Sequence, residues 1–304
     1  MSDANSDMTV VGVDDSAGSQ AALRWALRHA HRRDGAVTAV HAWLPTPAFA
    51  RADLPMFLDL DVLARAGQAL LEEQVAEARK TTGLDHVPVH LVCEHGAAGA
   101  VLEVAAEGAH ALAVGRAQHA APVRALLGST AADCLRRSPC PVVVVPPLDE
   151  KDTVLPMHTA SVYVGVDHQA PSRAALRWAV EVAVQEGKPL VPVHVQSPLH
   201  DQDERDLTVL EASDREQERI RDEVAREARD TVLDAVLDVR PLVVLGAPGP
   251  ALESLVGPED LVVVGARGRG AVSSALLGST SHYLVHHCRA PVAVIRTREH
   301  KPLD

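Results

Sequence analysis

An internal repeat is the feature of this sequence that most restricts its fold. The segment AALRWA at residues 21–26 recurs letter for letter at 174–179, and the segment ALLGST at 125–130 recurs at 275–280. The two offsets, 153 and 150 residues, are close to half of the 304-residue chain. A repeat of this period indicates two copies of one domain, each of a size that can bury its own core.

The domain boundaries follow from where the apolar periodicity is interrupted. Prolines and mixed charges break it over residues 146–159, and we predict a linker there. The first predicted domain then spans residues 1–147 and the second spans residues 158–298.

Each half alternates short β-branched runs, typical of buried strands, with helical patterns. The runs lie at residues 9–14, 37–42, 87–93, 111–115 and 141–145 in the first half and at 161–167, 190–195, 239–245, 261–265 and 291–295 in the second. Aromatic residues make up only 2% of the chain, so valine, leucine and alanine must fill the cores. Five strands alternating with four helices predict an α/β fold, in which each domain is a doubly wound, five-stranded parallel sheet with helices on both faces.

The helix after the first strand has a clear apolar face. In the first half this face is formed by Leu23, Ala26, Leu27 and Ala30, at helical spacing. Gly35 in the first half and Gly187 in the second are expected to end this helix.

A long charged helix is predicted in the second half, over residues 214–233. Ile220, Val224 and Ala228 mark its buried stripe. The surrounding arginine, aspartate and glutamate residues are interpreted as a solvated face with i, i+4 pairs, which needs no ligand.

A glycine-rich segment follows the fourth predicted strand of the second half. It has the spacing G-x2-G-x9-G-S-T, and the residues that carry it are Gly265, Gly268, Gly278, Ser279 and Thr280. Glycines at such a turn permit positive φ and let backbone N–H groups approach an anion closely. Ser279 or Thr280 is predicted to cap the next helix, whose start also favours phosphate. Arg267 and Arg269 are either phosphate contacts or exposed loop residues.

An aspartate after the first strand completes the predicted site. Asp167 is expected to end strand one and Gly265 to end strand four, and ligands of doubly wound sheets bind where the strand order reverses. If these two strands are neighbours, Asp167 faces the base or sugar of a nucleotide and the loop faces its phosphates. The alternative is that Asp167, like Asp14 in the first half, only caps the following helix.

The first half keeps only part of this pattern. It retains Asp14, Gly115, Gly128, Ser129 and Thr130. Gln118, however, stands in place of Gly268, and Ala120 in place of Gly270. A glutamine held at positive φ costs roughly 1 kcal/mol or more, and its side chain could enter the phosphate path. We therefore predict an intact nucleotide site in the C-terminal half and a weakened one in the N-terminal half.

These features resemble those of universal stress protein domains, in the tandem form found in bacteria. The resemblance extends over nearly the whole chain. The resemblance rests on the two aspartates, the loop ending in Gly-Ser-Thr, and the closing strands at 141–145 and 291–295. It implies the adenine nucleotide alpha hydrolase-like fold and, in the ATP-binding branch of the family, ATP as the ligand, with or without Mg²⁺.

The resemblance also implies roles for individual residues. In that branch the loop glycines and the Ser/Thr residues hold ribose and phosphates, the strand-one aspartate lies by the adenosine, and a strand-two residue near Ala42 or Val195 packs on the adenine. The last strand usually pairs two domains, which implies an intramolecular pseudo-dimer here; whether the chain also forms a homodimer stays open. His168, Gln169 and Ala170 replace the small Gly-Ser that usually follows the aspartate, which alters the expected contacts near the base.

Composition and charge argue against several other functions. The net charge of −12 disfavours binding to the phosphate backbone of nucleic acids. No apolar run approaches the roughly 20 residues of a membrane span, and no secretory signal opens the chain, so a cytoplasmic protein is expected. The four cysteines make no CxxC pair, and the adjacent His286 and His287 point to different helix faces, so no metal site is predicted.

Three function classes are compatible with the sequence. The first, which we favour, is an ATP-binding regulatory module of a stress response. The second is an ATP-using enzyme, either a slow hydrolase or a nucleotidyl transferase; against it, neither loop contains the lysine of a Walker A motif, and we find no partnered catalytic base or nucleophile. The third is an interaction protein that keeps only the fold and binds no nucleotide.

Overall fold

The chain forms two compact units, Met1–Leu148 and Asp149–Asp304. The computed structural model describes residues 7–44, 60–117, 127–147, 160–196, 206–228, 237–266 and 277–296, and within 206–228 it describes the side chains of 213–227. Within these ranges, none of the helices combines the length and the apolarity that a membrane-spanning segment needs.

The first unit is a five-stranded parallel sheet with helical connections. Its described elements are β1 (Met8–Gly12), α1 (Ala17–Arg32), β2 (Ala36–Trp43), α2 (Leu60–Thr82), β3 (Val89–His95), α3 (Ala98–Ala105), β4 (Ala111–Gly115), α4 (Ser129–Arg137) and β5 (Val142–Val145). The strand order is β3-β2-β1-β4-β5, and each neighbouring pair is parallel. The order reverses between β1 and β4, which are therefore the neighbours that the site hypothesis requires.

The second unit repeats this architecture. Its described elements are β6 (Val162–Gly165), α5 (Ala170–Glu186), β7 (Leu190–Gln196), α6 (Asp206–Ala228), β8 (Leu242–Leu245), α7 (Pro248–Leu255), β9 (Leu261–Gly265), α8 (Ser279–His287) and β10 (Val292–Ile295). The order β8-β7-β6-β9-β10 is again parallel throughout, with β6 between β7 and β9. The predicted α/β fold with two doubly wound parallel sheets is thus confirmed.

The cores are built from small and branched aliphatic side chains, as the low aromatic content requires. All four valines of β5 are buried. The predicted apolar face of α1 is confirmed, because Leu23, Ala26, Leu27 and Ala30 are fully buried.

The helix end predicted at Gly187 is confirmed, whereas the one at Gly35 is not. Gly187 takes the left-handed conformation, φ 61°, directly after α5. In the first unit Asp34 takes it instead, with φ 51°. Gly35 is needed for another reason, because a Cβ there would collide with the carbonyl oxygen of Asp7.

The first strand of each unit is shorter than predicted. β1 ends at Gly12 and β6 at Gly165, so that Asp14 and Asp167 lie two residues beyond the strands. Val13 N–H still donates to the Val40 carbonyl at 2.8 Å, after which the chain turns toward α1. The aspartates therefore belong to the strand-to-helix turns.

The interpretation of α6 as a helix with only a solvated charged face is wrong at Glu223. Ile220 and Val224 are buried as predicted, but Glu223 is also only 5% exposed. Glu216, Ile220 and Glu223 follow one another at helical spacing, so the two glutamates continue the buried stripe. Residues 229–233, predicted to be helical, lie outside the described residues.

The end of the fourth strand packs closely on the first helix. A Cβ on Gly115 would collide with the backbone of Gly18 and Ser19 in α1. In the second unit a Cβ on Gly265 would lie 3.0 Å from the carbonyl carbon and oxygen of Pro171 in α5. The first glycine of each loop motif is therefore required by the packing of helix on strand.

We expect Gly115→Ala to lower the free energy of unfolding by about 1–3 kcal/mol, the usual cost of overpacking. The added methyl group would meet the backbone of α1, which cannot rotate away as a side chain can. Gly12→Ala is the control. Its methyl group would meet the flexible end of Leu102 at 3.1 Å, and we expect a loss below about 1 kcal/mol. Urea unfolding followed by circular dichroism measures both, and equal losses would contradict the packing argument.

Candidate functional site

The carboxyl ends of β1, β2 and β4 form a pocket in the first unit, where the strand order reverses. The pocket has a volume of about 130 Å³. It is lined by Gly12, Val13, Asp14, Ser16, Ser19, Val40, His41, Ala42, Ala98, Leu102, Val114, Gly115, Thr130 and Ala131. Four of the predicted site residues, Asp14, Ala42, Gly115 and Thr130, are thus brought together from four different elements. The predicted residues Gly128 and Ser129 are not among the described residues that line it.

Asp14 is held in this pocket by a turn. Its Oδ1 accepts a hydrogen bond from the N–H of Ser16 at 2.9 Å, which forms an Asx turn. The N-cap of α1 is Ser16, whose hydroxyl accepts from the N–H of Ser19 at 3.1 Å. The hydroxyl of Ser19 donates to the Asp14 carbonyl at 3.0 Å. The alternative hypothesis, that Asp14 caps the helix, is therefore wrong.

Asp167 makes the same turn in the second unit. Its Oδ1 accepts from the N–H of Gln169 at 3.0 Å, and its own N–H donates to the hydroxyl of Ser172 at 3.3 Å. Gln169 is the N-cap of α5 and makes no side-chain capping bond. Neither aspartate is a helix cap, so each carboxylate is placed at the turn between strand and helix.

A histidine near the end of each second strand was missed by the sequence reasoning. His41 lines the pocket, and its Nδ1 donates to the Val13 carbonyl at 2.9 Å. His194 makes the matching bond to the Val166 carbonyl, also at 2.9 Å. A carbonyl only accepts, so Nδ1 carries the proton in both rings. The signal was present in the sequence, because the two histidines are 153 residues apart, like the repeated AALRWA segments.

The helices after the glycine loops begin differently from the prediction. The N-caps are Gly128, with φ −58°, and Gly278, with φ −63°, and neither helix has a side-chain capping bond. The Ser-Thr pairs 129–130 and 279–280 are already the first two helical residues, so the prediction that Ser279 or Thr280 caps the helix is wrong. These glycines do not use positive φ either. The first-turn N–H groups have no partner within the helix, which is the arrangement that binds anions.

The two ends of the second glycine loop lie next to each other. Gly278 N–H donates to the Ala266 carbonyl at 2.8 Å, and the buried Ser281 hydroxyl donates to the same carbonyl at 3.2 Å. Gly265 at the end of β9 is thereby held beside the start of α8. The predicted Arg267, Gly268 and Arg269 lie outside the described residues, and Val195 lies in β7 at the position that corresponds to Ala42.

The starts of α4 and α8 carry no acidic residue in the first turn. Burial raises the pKa of the Cys134 thiol in α4 to about 12, so the thiol is protonated at neutral pH. Burial, followed by the charges of His286 and His287, lowers the pKa of His282 in α8. Neither side chain therefore adds charge at neutral pH, and the helix starts keep the positive potential of their N–H groups.

A cluster of histidines and glutamates lies beside the turn of the second unit. One ligand atom each from His168, His194 and Glu216 lies within 4.8 Å of the other two. Glu223 contacts the other side of His168, with 2.6 Å between Nδ1 and Oε2. The sequence reasoning missed the glutamates because it interpreted the charges of α6 as solvated.

The sequence profile of the universal stress protein family matches residues 8–146 and 159–296. A universal stress protein of Mycobacterium tuberculosis is 30% identical over 298 residues, which cover 94% of this chain and 96% of that protein. A universal stress protein of Mycolicibacterium smegmatis is 30% identical over 294 residues, which cover 95% of this chain and 97% of that protein. The crystal structure of a universal stress protein from Archaeoglobus fulgidus is similar in fold, with a TM-score of 0.63 at 20% identity, over 96% of this chain and 98% of that one.

We expect Ser16→Ala to lower the free energy of unfolding by about 0.5–2 kcal/mol, the usual cost of losing an N-cap. Ser279→Ala, at the first position of α8, is expected to change it by less than about 0.5 kcal/mol, because Gly278 is the cap. Thermal unfolding followed by circular dichroism compares the two variants. If Ser279→Ala costs as much as Ser16→Ala, the assignment of the caps is wrong.

Proposed function

Because the chain belongs to the universal stress protein family over both halves, we propose that it is an ATP-binding regulatory protein of the stress response. ATP is proposed to bind in the crevice at the strand ends of each unit, more tightly in the second. The chain is proposed to act through binding and not as an enzyme, since neither glycine loop contains a lysine.

One observation supports this proposal above the others. Residues predicted from separate parts of the sequence to contact adenosine and phosphates line a single pocket of the first unit: Asp14, Ala42, Gly115 and Thr130. An interaction protein that kept only the fold would have no need for a carboxylate, an apolar wall and a helix start at one place.

The chemistry of the lining suits an adenine nucleotide. Val40, Ala42 and Leu102 offer an apolar wall to an adenine ring. The carboxylate of Asp14 can accept hydrogen bonds from ribose hydroxyls, and the start of α4 offers N–H groups to phosphate oxygens. The volume of about 130 Å³ is below the roughly 300–1,000 Å³ of a complete ligand cleft. It is the size of a single ring system, so the phosphates would extend toward the start of α4.

The second unit is proposed to hold the phosphates more firmly. Its loop keeps the full G-x2-G-x9-G-S-T spacing, whereas the first loop has Gln118 and Ala120 at two of the glycine positions. The hydroxyls of Ser279 and Thr280 lie at the start of α8, where they can support a phosphate or a phosphate-bound Mg²⁺.

Binding would act on the protein by mass action. At an ATP concentration of 100 times Kd, one site stabilises the folded unit by about 2.7 kcal/mol. A partner that distinguishes the filled from the empty state can then respond to ATP. Pairing of the two halves through their closing strands is part of the same proposal, and the mass in solution with and without ATP tests whether the chain also forms a homodimer.

Exchange of the loop sequences tests the proposed order of affinity. We expect Gly268→Gln combined with Gly270→Ala to weaken ATP binding to the second unit by about fivefold or more, the equivalent of roughly 1 kcal/mol. The reciprocal variant, Gln118→Gly with Ala120→Gly, is expected to strengthen the first site. Isothermal titration of the full chain measures both, and two equal sites in the unaltered protein would contradict the proposal.

Asp14→Ala tests the pocket of the first unit. Loss of a hydrogen bond to a charged group costs about 1.5–3 kcal/mol, so we expect the affinity of this site for ATP to fall by about 10-fold to 150-fold. Asp15→Ala is the matched control, because Asp15 is exposed and is not among the described residues that line the pocket. Both are measured by isothermal titration of the full chain, in which the weaker of the two sites is assigned to the first unit. Equal effects of the two changes would refute the assignment.

The distinction between binding and turnover is tested by the fate of the nucleotide. We expect chromatography of ATP incubated with the full chain to recover ATP, with no more hydrolysis than in a protein-free control. Release of ADP in proportion to protein concentration would favour the hydrolase instead.

A further inference from the structure

His168 has a backbone conformation that is unusual for its residue type. It lies in the turn after β6 with φ 62°, in the left-handed region. A side chain with a Cβ pays roughly 1–2 kcal/mol there. Strain of this kind is retained where the surroundings hold the residue in place, commonly at functional sites.

The surroundings of His168 are two carboxylates, one on each ring nitrogen. Nδ1 lies 2.6 Å from Oε2 of Glu223, and Nε2 contacts Oε1 of Glu216. A neutral imidazole has only one N–H and can donate to only one of them. The second contact therefore requires a further proton, or it opens to admit a metal ion that both the nitrogen and the oxygen bind.

Both carboxylates are shielded from solvent, and among the described residues no arginine or lysine compensates either charge strongly. The side chains of Glu223 and Glu216 are 7% and 15% exposed, and that of His168 is 11% exposed. Arg219 has its Nη1 3.9 Å from Glu216 but is 61% exposed, so this pair contributes little. Shielded carboxylates of this kind favour a cation beside them.

A second histidine completes the group. The ring centroid of His194 lies 5.3 Å from that of His168. Its Nδ1 donates to the Val166 carbonyl at 2.9 Å and lies 3.8 Å from Oε1 of Glu216, and the lone pair of the neutral ring is on Nε2. Metal-binding histidines are oriented in this way, by a bond from the other ring nitrogen to a carbonyl or carboxylate.

We propose that the second unit binds a divalent transition-metal ion of the zinc type through His168, His194 and Glu216. Glu223 accepts the Nδ1–H of His168 and orients the ring, so that Nε2 faces the ion. Two imidazoles and one carboxylate suit zinc, whereas Mg²⁺ and Ca²⁺ prefer oxygen ligands. Ligands lie about 2.0–2.2 Å from zinc, so the contact between His168 and Glu216 opens as the ion takes its place. Three protein ligands leave the fourth position for water or a small ligand.

The first unit has no equivalent of this site among its described residues. Asp15, the counterpart of His168, is exposed. His41, the counterpart of His194, faces Gly67, where a Cβ would lie 2.9 Å from the His41 Cδ2. A small residue thus stands beside His41, whereas Glu216 stands beside His194. The metal site is specific to the second unit and does not rest on the proposed binding of ATP.

Zinc titration of the full chain, stripped of metal with a chelator and free of nucleotide, tests the proposal. We expect one tight zinc ion per chain by isothermal titration. Co²⁺ should give the visible absorption of a four- or five-coordinate site with nitrogen ligands. Glu216→Gln and His168→Asp, the latter copying the first unit, are each expected to weaken zinc binding by more than about 10-fold, and Glu223→Gln by about 10-fold to 100-fold.

Matched controls separate this site from the rest of the chain, which contains 16 histidines. Glu218→Gln lies on the same helix with a side chain that is 72% exposed, and should leave zinc affinity unchanged. His86→Ala removes an exposed histidine pair with His31, at 3.0 Å, and should also leave it unchanged. If Glu216→Gln fails to fold by circular dichroism, His168→Asp gives the decisive result. Undiminished zinc binding in His168→Asp, loss in His86→Ala, or no binding at all would overturn the proposal.

Discussion

The position of the first strand between the second and the fourth is the constraint on which the sites of both units depend. β1 lies between β2 and β4, and β6 lies between β7 and β9. Right-handed connections then place helices on opposite faces to either side of this point, and the carboxyl ends of the strands open onto a crevice. Residues that are far apart in the chain, such as Asp14 and Gly115, line the same pocket because of this strand order.

The two units use the same crevice with different side chains. In the first unit the second helix places a glycine, Gly67, beside His41, and Asp15 in the turn is exposed. In the second unit His168 and two glutamates of α6 gather beside His194. The backbone architecture is shared, so the difference in chemistry arises from a few side chains at equivalent places. The fold alone does not decide what either crevice binds.

Much of the fold and of the candidate nucleotide site could be predicted from sequence. The residues that cap the helices and the burial of a glutamate in the charged helix could not. The aspartates and the first loop glycine were identified, since the repeat shows each of them twice, and the second-strand residues Ala42 and Val195 were taken from the family resemblance. The predicted cap at Ser279 or Thr280 was wrong, and so was the alternative of a cap at Asp14, because a shift of one or two residues at a helix start changes which group accepts the first N–H. Glu223 was interpreted as solvated because it is charged, although its spacing of three residues from the buried Ile220 places it on the buried face of the helix.

The sequence by itself determined the fold class, the repeat and the residue types of the candidate nucleotide site, because periodicity and local turn chemistry are encoded over a few neighbouring residues. Tertiary structure decided which of these residues meet. The close approach of Gly115 to α1, and the contact of His168 with Glu216 and Glu223, join segments separated by many residues. Such contacts depend on how helices pack on the sheet, and no local pattern records that packing.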